Sequence, residues 1–276
     1  MSFNIDKGKI TLTKDVAFCE YLNQSLPPAD KEIDVLIKEI KLHVQGIAPM
    51  PIESSAFSNA AGDWYEWLIA LSAWNYCVAN PSANLLLLLP NVSTFAVGKL
   101  YTSRLYGLIE DLKQKVLDSS GVHLISSNPD FVIIDRALVN ECMVLNSIPY
   151  FDIPSIKMLE NSYLNFVDKC DFEDIIGYLS VKSSLRPDRR LQMAHEGSLM
   201  KALYTHIQTR EWVLDPKGIK YYAMSTKIGG ADRIALKTVA THSITTVHDK
   251  PQAAVDESFE VNSLQAAMAA FQDFLH

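Results

Sequence analysis

The chain has 276 residues, 48% hydrophobic and 21% charged, enough to bury a substantial core in one compact α/β domain with decorations. A formal charge of −7 argues against indiscriminate coating of nucleic acid, while the absence of a signal-peptide core and the shortness of the apolar run Leu85 to Leu89, closed by Pro90, point to a cytoplasmic protein without membrane contact. Cys19, Cys77, Cys142 and Cys170 are widely spaced, with no C-x-x-C pair or zinc-like histidine spacing, so free thiols are expected.

In chain order, Lys9 to Thr13 reads as a short strand and Lys14 to Asn23 as a helix. Asp30 to Val44 is helical, because Ile33, Leu36, Ile37, Ile40 and Leu42 mostly share one face opposite charges. Gly46 to Gly62 starts with prolines and glycines and continues in small polar residues, which reads as a surface loop holding Asn59. Asp63 to Ala79 reads as a buried helix carrying Trp64, Trp67, Leu68, Leu71 and Trp74. Within it, Glu66 lies between Tyr65 and Trp67, so partial desolvation would demand a cation or a hydrogen-bond partner. These segments make a helical part, about residues 1–80, packed on a core.

Leu85 to Leu89 is an internal strand, and Thr102 to Asp118 a helix bearing Leu105, Leu108, Ile109, Leu112 and Val116. His123 to Ile134 returns to the sheet, ending in Phe131 to Ile134, an apolar run typical of a buried strand, with Asp130 held at its mouth. Pro154 to Val167 is helical. Leu179 to Lys182 reads as a strand ending near Ser183, where Pro187 blocks the ladder and constrains Arg186. From about Ala194 the period changes: Leu199, Leu203 and Ile207 recur every four residues and place Glu196 in a first helical turn. Lys220 to Met224 and Ile234 to Val239 read as strands around Gly229-Gly230, and Ser263 caps a final helix to Leu275.

The organising segment is therefore strand, basic turn, helix. From Lys182 to Lys220 eight basic residues face four acids, so an acidic body carries a local positive excess. Two acids from different segments, Asp130 and Glu196, can hold a hard divalent cation that keeps several waters, and Lys182 can supply an ammonium beside them. Taken singly, each residue also has an ordinary role. Pro129-Asp130 is a common turn device, Lys182 a solvated strand end, Glu196 a dipole-favoured acid, and Arg186, Asp188, Arg189 and Arg190 a self-neutralising exposed turn. The coincidence of all of them in order favours the site.

Pro129-Asp130, then Ser180-Val181-Lys182, then Glu196 resembles the variant active-site pattern of type II restriction endonucleases in the PD-(D/E)xK superfamily. The likeness is to the subfamily that cuts sites with a CCGG core, of the NgoMIV and SgrAI type, and nearest to members that cut RCCGGY. Arg186-Pro187-Asp188-Arg189 is similar to that subfamily's Arg-x-Asp-Arg reading motif, and Gly62-Asp63-Trp64-Tyr65-Glu66 to its segment with an additional active-site glutamate. The likeness runs from roughly Gly62 to Asn262. Ser180 stands where most superfamily members place a second metal-binding acid, and the resemblance implies that Glu196 takes over that role.

The resemblance implies a restriction-endonuclease-like mixed β-sheet flanked by helices and magnesium-dependent cleavage of double-stranded DNA, with 5′ phosphates and 5′ overhangs. Asp130 and Glu196 would hold Mg2+, Lys182 would position the attacking water, and Glu66 would support the metal or the lysine. Arginine can present two donors to guanine and aspartate can accept from cytosine N4, which suits Arg186 and Arg189 to the guanines and Asp188 to the cytosines. Arg190 and Asn59 are further candidates for DNA contact. A palindromic core calls for a symmetric dimer, and many relatives form tetramers on two duplexes. By family position Trp212 is a candidate contact between dimers, although it can equally be a core residue. A cognate methyltransferase is expected in the host. The alternatives are a repair or recombination nuclease and an inactive DNA-binding protein of the same fold.

Overall fold

The computed structural model describes residues 2–6, 9–125, 128–244 and 250–276. It opens with an antiparallel pair, β1 (Phe3–Asp6) and β2 (Lys9–Leu12), followed by helices α1 (Lys14–Leu22), α2 (Ile33–Ile47) and α3 (Ser54–Ala79). Then come β3 (Leu85–Leu88), α4 (Ser103–Ser120), β4 (Phe131–Ile134), α5 (Arg136–Cys142), α6 (Ile153–Asn161) and β5 (Ile175–Lys182). The last elements are α7 (Pro187–Glu211), β6 (Lys220–Ser225), α8 (Gly230–Leu236), α9 (Thr241–Ile244), β7 (Glu257–Glu260) and α10 (Leu264–Phe274).

The main sheet is mixed, in the order β3-β4-β5-β6-β7, antiparallel across β3, β4 and β5 and parallel across β5, β6 and β7. All four leucines of β3 and all four residues of β4 are buried, as continuous apolar runs require. Although β3 lies at the sheet edge, α3, α6 and the 3-10 turn Ser162–Phe166 pack against it. Its edge is thereby shielded from pairing with another chain. On β6 neighbouring side chains point to opposite faces. Tyr221 reaches Glu196 of α7, while Tyr222 packs on Phe274 of α10 with ring centroids 4.9 Å apart. Helices α7 and α10 therefore cover opposite faces.

Three expectations are corrected. The segment 46–62 is not a loop throughout: α3 begins at Ser54, so Asn59 is an exposed helical residue. Ala60 and Ala61 are buried there, and packing carries the helix back through serines that have little intrinsic preference for it. The basic segment is helical from Pro187, whose fixed φ suits a first helical position, with Arg186 extended before it. Glu196 thus lies in the third turn, not the first. Finally, Gly230–Leu236 is a helix where a strand was expected over Ile234 to Val239, and Asp232 fastens its start by accepting the Gly229 N–H at 2.8 Å. Ile234 of that helix is largely exposed.

Candidate active site

Sheet register brings the first two residues together. Phe131 pairs with Leu179 across β4 and β5, so the next position outward sets Asp130 beside Ser180. The Ser180 hydroxyl donates to Asp130 Oδ2 at 2.9 Å, and the Val181 N–H donates to the same oxygen at 2.6 Å. Lys182 Nζ donates to both oxygens, at 2.9 and 2.8 Å. Asp130 and Lys182 side chains are only 16% and 18% exposed, which makes this a largely desolvated, charge-assisted pair.

Glu196 arrives from α7 and is almost fully buried. Its Oε2 accepts the Tyr221 hydroxyl at 2.8 Å and its Oε1 accepts Gln192 Nε2 at 3.2 Å. Glu66 comes from α3, half-buried, two residues from Tyr65, Trp64 and Trp67 or nearer. All four charged groups line one cleft of about 570 Å³, together with Asp63, Glu160, Asn91, Asn128 and Gln192. Five carboxylates meet a single ammonium among the described lining residues.

The electrostatics follow from that imbalance. Burial, then the charge of Asp130, holds the Glu66 carboxyl well above the ordinary carboxylate range, with Lys182 opposing. For Lys182, burial works against the ammonium. Asp130, by charge and hydrogen bond, together with Glu66 and Glu196, outweighs it, so the lysine titrates above its ordinary value. It is a hydrogen-bond donor at neutral pH and not a base.

Among the described residues no three His, Cys, Asp or Glu side chains form a ready-made metal cage. The donor set nevertheless fits a hard, oxygen-seeking dication. Asp130 and Glu196 offer carboxylate oxygens, and magnesium is commonly held by one or two carboxylates with waters completing its shell.

The expected DNA readers lie at the start of α7. Arg186 and Asp188 are exposed and sit 3.3 Å apart, and Arg189 donates to the Ser184 carbonyl and hydroxyl at 3.2 and 3.1 Å. Arg190 differs from them: its guanidinium meets Asp232 at 2.8 Å and is mostly buried, tying α7 to α8. Trp212 ends α7 in a left-handed conformation, φ 56°, and is 84% exposed, beside the equally exposed Leu214. It is not a core residue.

Sequence reasoning did not single out Tyr221, Gln192 or Glu160, and met Asp63 only within the segment that carries Glu66. Gln192 had a signal, since it stands one helical turn before Glu196, but that turn was not read as helix. Glu160 had none. It is held by Trp67 Nε1, which donates to it at 3.1 Å from α3.

The model of the Cfr10I/Bse634I restriction endonuclease family matches residues 25–276. The type II restriction enzyme Cfr10I of Citrobacter freundii is 42% identical over 271 residues, spanning 93% of this chain and 92% of the relative. The crystal structure of the type IIF restriction endonuclease Bse634I with cognate DNA superposes with a TM-score of 0.90 at 29% identity, covering 99% of this chain and 97% of the other. A second Bse634I structure gives 0.87 at 31% identity, covering 97% and 94%.

Proposed function

The chain belongs to the Cfr10I/Bse634I restriction endonuclease family, and from that premise we propose that it is a magnesium-dependent enzyme cutting palindromic sites with a CCGG core, RCCGGY, to leave 5′ phosphates and 5′ overhangs. The observation that carries the proposal is the meeting of Asp130, Lys182 and Glu196, from three separate segments, around one acidic cleft.

In this reading Asp130 and Glu196 are the residues that would hold Mg2+. The chemistry supplied by that ion when bound is neutralisation of charge developing on the scissile phosphate and a lower pKa for nearby water. Lys182, kept as an ammonium by its acidic neighbours, donates a hydrogen bond to the attacking water and fixes its approach. Ser180 and the Val181 N–H hold Asp130 in place, and Glu66 supports the lysine from the opposite wall. The oxygen of the attacking water joins phosphorus as its proton passes to solvent, the bond from phosphorus to the 3′ oxygen breaks with that oxygen taking a proton from solvent, and the 5′ phosphate stays on the downstream end.

Recognition belongs to the exposed start of α7. Arg186 and Arg189 donate to guanine O6 and N7, and Asp188 accepts from cytosine N4, each good bidentate contact contributing roughly 1–3 kcal/mol of discrimination. Arg190, already engaged by Asp232, positions these readers; exposed Asn59 remains a candidate groove contact. A twofold site is met by a symmetric dimer, and Trp212 with Leu214 offers an apolar surface for pairing dimers into a tetramer on two duplexes.

Digesting a plasmid of known sequence with the purified protein and Mg2+, then sequencing the ends, tests the proposal. Discrete fragments ending within RCCGGY are expected. A smear, structure-dependent nicking or intact plasmid would overturn it.

A further inference from the structure

Tyr221 has no part in the family pattern read from the sequence, yet it is fully buried and its hydroxyl donates to Glu196 Oε2 at 2.8 Å. On β6 it lies two residues before Ala223, which pairs with Ser180, so Tyr221 and Ser180 share a sheet face. Ser180 in turn donates to Asp130 Oδ2 at 2.9 Å. On that one face Tyr221 holds Glu196 and Ser180 holds Asp130, each by a hydrogen bond from its hydroxyl.

The backbone is fitted to this contact. A Cβ added at Gly197 would stand 2.2 Å from the Ala254 carbonyl oxygen and 3.0 Å from the Tyr221 ring. Only glycine lets α7 come this close to the Ala254 backbone, next to Glu196. Resting on the metal reading above, we infer that Tyr221 is a positioning residue which orients Glu196 toward Asp130, so that the two carboxylates can share one divalent cation.

The arrangement also gives Ser180 a use. A carboxylate at that position would stand beside Asp130 on the same strand pair. Here the second acid comes from a helix across the sheet, and helix and strand can shift against each other. A hydrogen-bonded tyrosine between them restrains that freedom, as outer contacts to metal-holding carboxylates commonly do, and losing such a contact typically weakens metal binding 10–100-fold or so.

The test measures Mn2+ binding by the electron paramagnetic resonance of the free ion, using full-length protein with a duplex containing a CCGG core. Wild type, Asp130→Asn, Tyr221→Phe, Ser180→Ala, Glu196→Gln and the double variant Tyr221→Phe/Glu196→Gln are compared, alongside thermal melts. Tyr221→Phe keeps the ring and is expected to fold. Its half-saturating Mn2+ should rise about 10–100-fold, with cleavage recovering at saturating ion. Ser180→Ala should shift in the same direction, and in the Glu196→Gln background Tyr221→Phe should add nothing. If Asp130→Asn abolishes Mn2+ binding while Tyr221→Phe leaves it unchanged, the tyrosine's role is refuted. It is refuted equally by a cleavage loss that excess ion does not restore. A wild type with no Asp130-dependent signal would instead remove the metal reading beneath it.

Discussion

Replacing Lys182 by methionine removes the single ammonium of the cleft while keeping most of the side-chain volume. The structure gives Asp130 two short bonds from that ammonium, at 2.9 and 2.8 Å, in surroundings where both side chains are less than a fifth exposed. Hydrogen bonds to charged groups contribute about 1.5–3 kcal/mol each, but Asp130 retains Ser180 and the Val181 N–H as donors. A net loss of about 2 kcal/mol is expected, or a fall in Tm of roughly 4–8 °C in a chain of this size. Because the folded Lys182 titrates above its ordinary value of 10.5, its contribution is complete below that pH and is lost only as pH rises through the raised value. The gap between the two proteins should therefore be equal at pH 7 and pH 9. Single-turnover cleavage should fall by about 10²–10³, the usual effect of losing one oriented donor. Calorimetry in chelator at the two pH values and quenched-flow cleavage measure these quantities. Wild-type cleavage, or a stability gap that closes by pH 9, would refute the role given to the ammonium.

Asp188→Ala should weaken specific binding and cleavage together, by about 1–3 kcal/mol at the affected base; unchanged cleavage of plasmid would contradict the reading role. Arg190→Ala should lower stability by about 1 kcal/mol as one mostly buried pair is lost, Asp232→Ala by about 1 kcal/mol more because it also removes the acceptor of the Gly229 N–H at the start of α8, and the double variant by little more than Asp232→Ala alone. Trp212→Ser should halve the particle mass in sedimentation, since that side chain is largely exposed on the single chain and its proposed place is between dimers; an unchanged mass would refute that role. Burial pushes the Cys19 and Cys77 thiols up to about 11, and Cys170 further. Thiol titration at pH 8 should therefore count Cys142 alone in the native protein and all four cysteines in denaturant.

Much of the fold was legible because its central strands carry unambiguous apolar runs. Leu85 to Leu88 and Phe131 to Ile134 can only be buried, and the Asp130 they position follows from one turn. Lys182 and Glu196 were legible as residues, but their approach depends on β5, β6 and α7 packing together, which no local spacing encodes. Strand β7 escaped because Glu257 and Glu260 bracket Ser258 and Phe259, so an edge strand presents no alternating pattern. The start of α3 was lost to Ser54, Ser55, Ser58 and Asn59, residues that read as loop until Ala60 and Ala61 are seen packed. In α8, Ile234 and Leu236 resembled strand residues, whereas Asp232 and its partner Arg190, far off in sequence, decide for helix. Tyr221 could not have been singled out at all: a tyrosine between Lys220 and Tyr222 in a strand is ordinary until a carboxylate is found at its hydroxyl.

One helix holds Asp188 in its first turn and Glu196 eight residues on, about 12 Å away along its axis at 1.5 Å per residue. A rod of that length is a lever. Tilting it by about 5° moves the far end by roughly 1 Å, a displacement that can slow chemistry about a hundredfold. A wrong base pair that merely seats the near end askew thus penalises the reaction beyond what it penalises association. Selectivity in cutting should then exceed selectivity in holding, and an enzyme so built can tolerate loose residence on the many near-matching sequences of a genome without breaking them.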